Sequence, residues 1–333
     1  MATLGGKSWG AAESLPDNQA NECTMDDQTA YALNALVQRH YNVGRIVRFR
    51  PVQRGRQCES YELLTAGGHE YTLQVYLPEF TQELLDRTAA VLELMSQNGF
   101  PVGCPVGLKQ QDGLIACAGP QNRLMLLLDM LHGQSLPVEQ WSEQDLSQLG
   151  LRLAWMHRAL AHLPFPPISR FSGNMLRVAA AGHEMRAARI AAAVGTETFE
   201  KLAAIKPPGE PVPGHGAFDP AAIMLDGDRL ITAITDWGSV GMGTSESDIV
   251  DALVMWCVQV DGTGIYPRAK AFCEAYFSLA DSKAFDWGDA VRQWCVHRGA
   301  EAVAGRRPLP RGFADIARDP QALAGMLAGV HLD

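Results

Sequence analysis

The chain has no C-x-x-C pair, no run of Lys or Arg, and no uninterrupted apolar stretch of the ~18 residues that a membrane helix requires. Each absence excludes a class. The seven cysteines, Cys23, Cys58, Cys104, Cys117, Cys257, Cys273 and Cys295, are odd in number, widely spaced and without an adjoining histidine cluster. They read as reduced core thiols, not as a disulfide frame or a zinc site. Without a basic stretch to track a phosphate backbone, nucleic acid is not an expected partner. The N-terminus lacks a basic flank followed by an apolar run, so neither a secretory signal nor a membrane association is expected, and a cytoplasmic location is.

What is present is core. The chain has 333 residues, 47% of them hydrophobic, enough for two domains or one two-lobed unit. Its 28 basic and 37 acidic residues give a net charge of −9. That balance is ordinary and identifies no partner.

Residues 1–25 are rich in Gly, Ser, Asn and Asp without apolar periodicity, which predicts a mobile tail. From Asp26 the spacing of Tyr31, Leu33, Leu36 and Val37 predicts a helix face, capped by Asp26 or Asp27. Alternation over Gly44–Pro78, broken at Ala66-Gly67-Gly68, predicts antiparallel strands. A helix with Leu84, Leu85, Val91, Leu92 and Met95 on one side follows, with Gly99 as its stop. Two more strands lead to the apolar run "RLMLLLDMLHGQSLP". Beyond it the chain turns helical. Ser142 and Asp145 open a helix as a variant capping box, and His157 and Arg158 close it as cations at its C-terminal end. Two short strands flank an Asp226-Gly227 turn, and helix continues from Asp248. The tryptophans 141, 155, 256, 287 and 294 lie among apolar residues and read as core.

The segment "HGAFDPAAIMLDGDRLITAITDWGSVGMGTSESDIVDA", with "LRLAWMHRAL" before it and "LLLDMLHGQSL" before that, resembles the aminoglycoside phosphotransferase and choline kinase family. The resemblance extends from about Gly44 to Leu253 and implies an α+β, two-lobed protein-kinase-like fold. A tail (1–25) would precede a small N-terminal β lobe (26–131) and a larger, mainly helical C-terminal lobe (132–333).

Laid on this chain, the family's motifs put its catalytic carboxylate at Ala217 and its metal-binding amide at Ala222, and a methyl group performs neither task. The phosphate-binding lysine falls on Gln74, which carries no charge, and the glutamate that would orient that lysine falls on Thr88. The turn at "RGRQCES" has the single Gly55, a weak phosphate-covering loop. Asp236 of "DWG" matches the family's metal carboxylate, and His215 and Asp248 match residues that brace the loop through backbone bonds. Adenine would be held by backbone groups at Asp129, Met130 and Leu131. Asp219 is the low-ranked substitute base, read chiefly as a solvated turn carboxylate. Ala217 and Ala222 are expected to face an open cleft, so that Ala217→Asp with Ala222→Asn would fold normally.

The resulting expectation is a pseudokinase that acts by binding, as scaffold or regulator of a protein or small-molecule partner, with no cofactor required. The alternative is an active phosphotransferase on an alcohol group, using ATP and Mg²⁺ with Asp219 as base and Asp236 as metal ligand.

Overall fold

The structure, a computed structural model, describes residues 27–54, 58–78, 80–110, 113–118, 123–163, 173–205, 212–241, 243–258, 266–280, 285–310 and 312–332. The predicted tail and Gly55 lie outside the described residues. Contacts divide the chain into two units. One runs up to Gln134 and includes Ile223–Gly238; the other comprises Ser135–Ala222 and Ser239–Asp333.

The first unit opens with α1 (Asp27–His40), followed by β1 (Ile46–Arg54), β2 (Cys58–Thr65), β3 (Glu70–Tyr76), α2 (Gln82–Gln97), β4 (Ile115–Ala118) and β5 (Arg123–Asp129). The strands form one antiparallel sheet in the order β1-β2-β3-β5-β4. Alternation on β3 buries Leu73 and Val75 in a cluster with Val37, Tyr41, Leu63, Met125 and Leu127. The two-residue period therefore turns Gln74, opposite Ser60 and Leu126, to the other face of the sheet. Tyr41 ties α1 to β5 by donating its hydroxyl to the Met125 carbonyl at 3.0 Å. On α1 the structure departs from the predicted face: Leu33 and Val37 are buried, but Tyr31 is 79% exposed. On α2, Thr81 caps the start, and Gly99, at φ +71°, follows the end as predicted. The hairpin of β6 (Ile223–Leu225) and β7 (Ile231–Ile234) belongs to this unit. Its turn takes the left-handed conformation at Arg229, φ +63°, and not at Gly227. Asp226 compensates by accepting the amides of Asp228 and Leu230.

The second unit is helical: α3 (Glu143–Leu160), α4 (Gly173–Gly182), α5 (Glu184–Val194), α6 (Thr196–Ala203), α7 (Ser245–Cys257), α8 (Tyr266–Phe277), α9 (Trp287–Ala304), α10 (Phe313–Arg318) and α11 (Pro320–Leu332). The predicted capping box is complete, Ser142 and Asp145 each bonding the other's backbone amide. Helix α3 approaches α8 closely at Gly150, where a β-carbon would collide with the Phe272 carbonyl. Trp141, Trp256, Trp287 and Trp294 are buried as predicted, while Trp155 is half-buried. Cys58, Cys257, Cys273 and Cys295 are buried free thiols. Among the described residues no helix is long and apolar enough to cross a membrane.

Candidate functional site

In the helical unit, the loop from His215 to Ala222 is held by hydrogen bonds from the segment that leads into α7. The Gly214 amide donates to the Gly243 carbonyl at 2.9 Å, and the Gly241 amide to the Gly214 carbonyl at 2.8 Å. Gly216 sits at φ +79°, and a β-carbon there would strike the Ser239 carbonyl, so glycine is required on both counts. Asp248, in the first turn of α7, completes the brace. Its Oδ2 accepts the His215 amide at 2.5 Å and its Oδ1 accepts the Gly216 amide at 3.0 Å. His157 Nε2 lies 3.1 Å from the same Oδ2, and its Nδ1 lies 2.9 Å from the Tyr276 hydroxyl. His157, in the last turn of α3 as predicted, is thus also a buried member of this network. Its place one turn from Leu153 and Leu160 on the buried stripe of α3 carried that signal.

The residues at the reactive positions of the loop are buried. Ala217 is 3% exposed and Ala222 is 0% exposed, contrary to the expectation that both face open space. Phe218, between them in sequence, is fully buried and packs on Trp256. Asp219, the only acid between His215 and Ala222, is not a solvated turn residue either. Its Oδ1 accepts the Ala221 amide at 3.1 Å, and its Oδ2 lies 2.5 Å from Arg307 Nη2.

The other candidates lie in the sheet unit. Gln74 Oε1 accepts the Tyr76 hydroxyl at 2.7 Å, so its carbonyl is engaged and its amide nitrogen is the group left to present. Tyr76 is buried, and that burial raises its pKa well above 10, with the charges of Cys58 and Asp236 acting in the same direction. Asp236 therefore stands near Tyr76 and Cys58 in this unit. It follows β7 at φ +63°, a left-handed conformation that Asp tolerates better than most residues. Among the described residues no group of three or more His, Cys, Asp or Glu side chains is placed to hold a metal ion. Thr88 is fully buried and spends its hydroxyl on the Leu84 carbonyl at 3.0 Å, one turn back in its own helix. At Asp129–Leu131 two amides are already used: that of Asp129 donates to the Cys104 carbonyl and that of Met130 to the Glu70 carbonyl.

Of the residues in the sheet unit that the family motifs assign to metal and phosphate, Asp236 is a carboxylate and Gln74 an uncharged amide.

Sequence and fold comparisons agree on the lineage. A profile of the phosphotransferase enzyme family matches residues 48–285. Among solved structures, an amicoumacin kinase in complex with AMP-PNP and Ca²⁺ is similar at 13% identity and a TM-score of 0.63, over 89% of this chain and 94% of that one. A spectinomycin phosphotransferase in complex with ADP and spectinomycin is similar at 14% identity and a TM-score of 0.57, over 90% and 98%. A microcompartment-associated aminopropanol kinase is similar at 15% identity and a TM-score of 0.58, over 90% and 98%. At these identities the likeness shows the fold, α+β and kinase-like. No curated protein matches the sequence.

Proposed function

The chain belongs to the phosphotransferase enzyme family, and from that premise we propose that it is a pseudokinase, a cytoplasmic protein that binds without transferring phosphate. The observation that carries this reading is the loop itself. Its brace through Asp248 is complete, yet the positions for base and metal-binding amide hold the buried methyl groups of Ala217 and Ala222. Phosphoryl transfer depends on positioning and charge stabilisation, with base, metal and phosphate anchor each supplying a separate part. A missing base removes roughly 10²–10⁴ in rate. Here the metal-binding amide and the anchoring lysine are missing as well, the latter replaced by Gln74. No cofactor is required for the binding role, and the partner is a protein or small molecule rather than nucleic acid.

The alternative, a working phosphotransferase with Asp219 as base, needs Asp219 to leave Arg307 before it can accept a proton. The similarity in fold to an amicoumacin kinase and an aminopropanol kinase is what supports testing that alternative. Purified protein incubated with ATP, Mg²⁺ and aminoglycosides, choline, homoserine or aminopropanol is expected to release no more ADP than a buffer control. ADP release above that control, abolished by Asp236→Ala, would overturn the pseudokinase reading.

A further inference from the structure

Helix α9 ends at Gly305, whose φ of +77° gives the left-handed C-terminal stop. The amides of Arg306 and Arg307 then fold back onto the Glu301 carbonyl, and Pro308 prevents the helix from resuming. This reversal delivers the Arg307 side chain to the loop from below. Its Nη2 meets Asp219 Oδ2 at 2.5 Å, and its Nη1 lies 3.2 Å from Asp251 Oδ2 and 3.4 Å from the Gly216 carbonyl. The guanidinium is 4% exposed.

Its partners are themselves fixed. Asp251 pairs with Arg298 Nε at 2.8 Å and accepts the indole N–H of Trp294. The Gly216 carbonyl also bonds His297 Nε2 at 2.9 Å. Two arginines therefore face two aspartates, and buried Glu301, paired with Arg306 at 3.4 Å, acts on both arginines as well. A buried ion pair of this kind adds little net stability compared with an apolar replacement, because desolvation offsets the attraction. What a planar, five-donor fork does supply is geometry. Arg307 grips the loop on either side of Ala217, at the Gly216 carbonyl before it and at the Asp219 carboxylate after it.

We propose that Arg307 is a positioning residue that latches the loop His215–Ala222 in one conformation. The latch stands independently of whether the protein turns over. Its chemistry is electrostatic and needs no reactant: Asp219 is occupied by a cation and an amide, and the loop amides keep their local bonds because Asp219 stays in place. Ala221 donates to the Asp219 carboxylate and Ala222 to the Asp219 carbonyl.

The test is amide hydrogen exchange on the full chain, free of ligand. In Asp219→Asn, a nearly isosteric change, the Ala221 and Ala222 amides are expected to exchange about tenfold or more faster, with α3 amides unchanged. Arg307→Met should do the same, and Arg307→Lys, which reaches one carboxylate but cannot fork, should fall between it and the wild type. Should Arg307→Met fail to fold, Asp219→Asn and Arg307→Lys carry the test. Loop exchange at the wild-type rate in Asp219→Asn, or equal acceleration of loop and α3, would overturn the latch. ADP release by the wild-type protein would remove the pseudokinase reading and leave the exchange result standing.

Discussion

The carboxylate of Asp248 receives the backbone amide of His215 across a gap of 33 residues in sequence, at 2.5 Å. Burial by itself pushes this carboxyl's pKa up. The hydrogen bond and charge of His157, with His215 and the Gly216 amide, outweigh that effect and hold it below the usual aspartate range. A group depressed in the folded state contributes stability that is fully present above its unfolded pKa of ~3.9. That contribution is lost as pH falls through the lower folded value. Asp248→Ala, which leaves two buried amides and His157 Nε2 without their acceptor, is expected to cost about 3–5 kcal/mol at pH 7. The difference in urea midpoint between wild type and variant should hold constant from pH 7 to about pH 4 and begin to narrow below it. Parallel curves would show that the brace carries no titrating energy.

Restoring the family's residues at Ala217 and Ala222 is not a neutral change in this chain. Both positions are closed, and Asn at Ala222 must displace neighbours at a cost of about 1–3 kcal/mol. Asp at Ala217 adds a buried charge that needs a cation, and the nearby guanidinium of Arg307 is already shared by two aspartates. The double variant Ala217→Asp with Ala222→Asn should therefore unfold at clearly lower denaturant than the wild type, with no gain of phosphotransfer. A wild-type midpoint would mean that the loop opens easily and that the methyl groups are not packing elements.

Local physics was legible in the sequence. The Ser142–Asp145 capping box, the stop at Gly99 and the strand alternation around Leu73 and Val75 each depend on residues within a few positions, and each appears in the structure. Motif order also gave the lineage, since the loop, the D-W-G and the helical Asp248 fall in a set sequence. Long-range partners were not legible. Asp219 and Arg307 are 88 positions apart, and nothing in "HGAFDPAA" names the arginine that will meet it. Burial of Ala217 and Ala222 escaped for a related reason: the resemblance assigned those positions a chemistry, and chemistry does not state what packs on a methyl group. The burial of His157 follows from its helical phase on α3, which its place at the end of that helix does not state.

The last expectation concerns nucleotide, where base and phosphate make separable contributions. Base recognition at Asp129–Leu131 would use backbone groups and needs no particular side chain, although the amides of Asp129 and Met130 are already committed. Phosphate recognition needs compensating charge. Gln74 supplies none, its carbonyl is held by Tyr76, and the nearby Asp236 adds negative potential, which a dehydrating Mg²⁺ would have to offset with one protein carboxylate. Adenosine should then bind about as well as ATP, and Mg²⁺ should add little. A ligand at a hundred times its Kd stabilises the folded state by ~2.7 kcal/mol, a readily measured rise in melting temperature. Millimolar MgATP is expected to give little or no rise, and no more than adenosine at the same concentration. A large rise that requires Mg²⁺ and disappears in Asp236→Ala would establish a working phosphate site, and the reading of Gln74 and Ala222 as losses would have to be withdrawn.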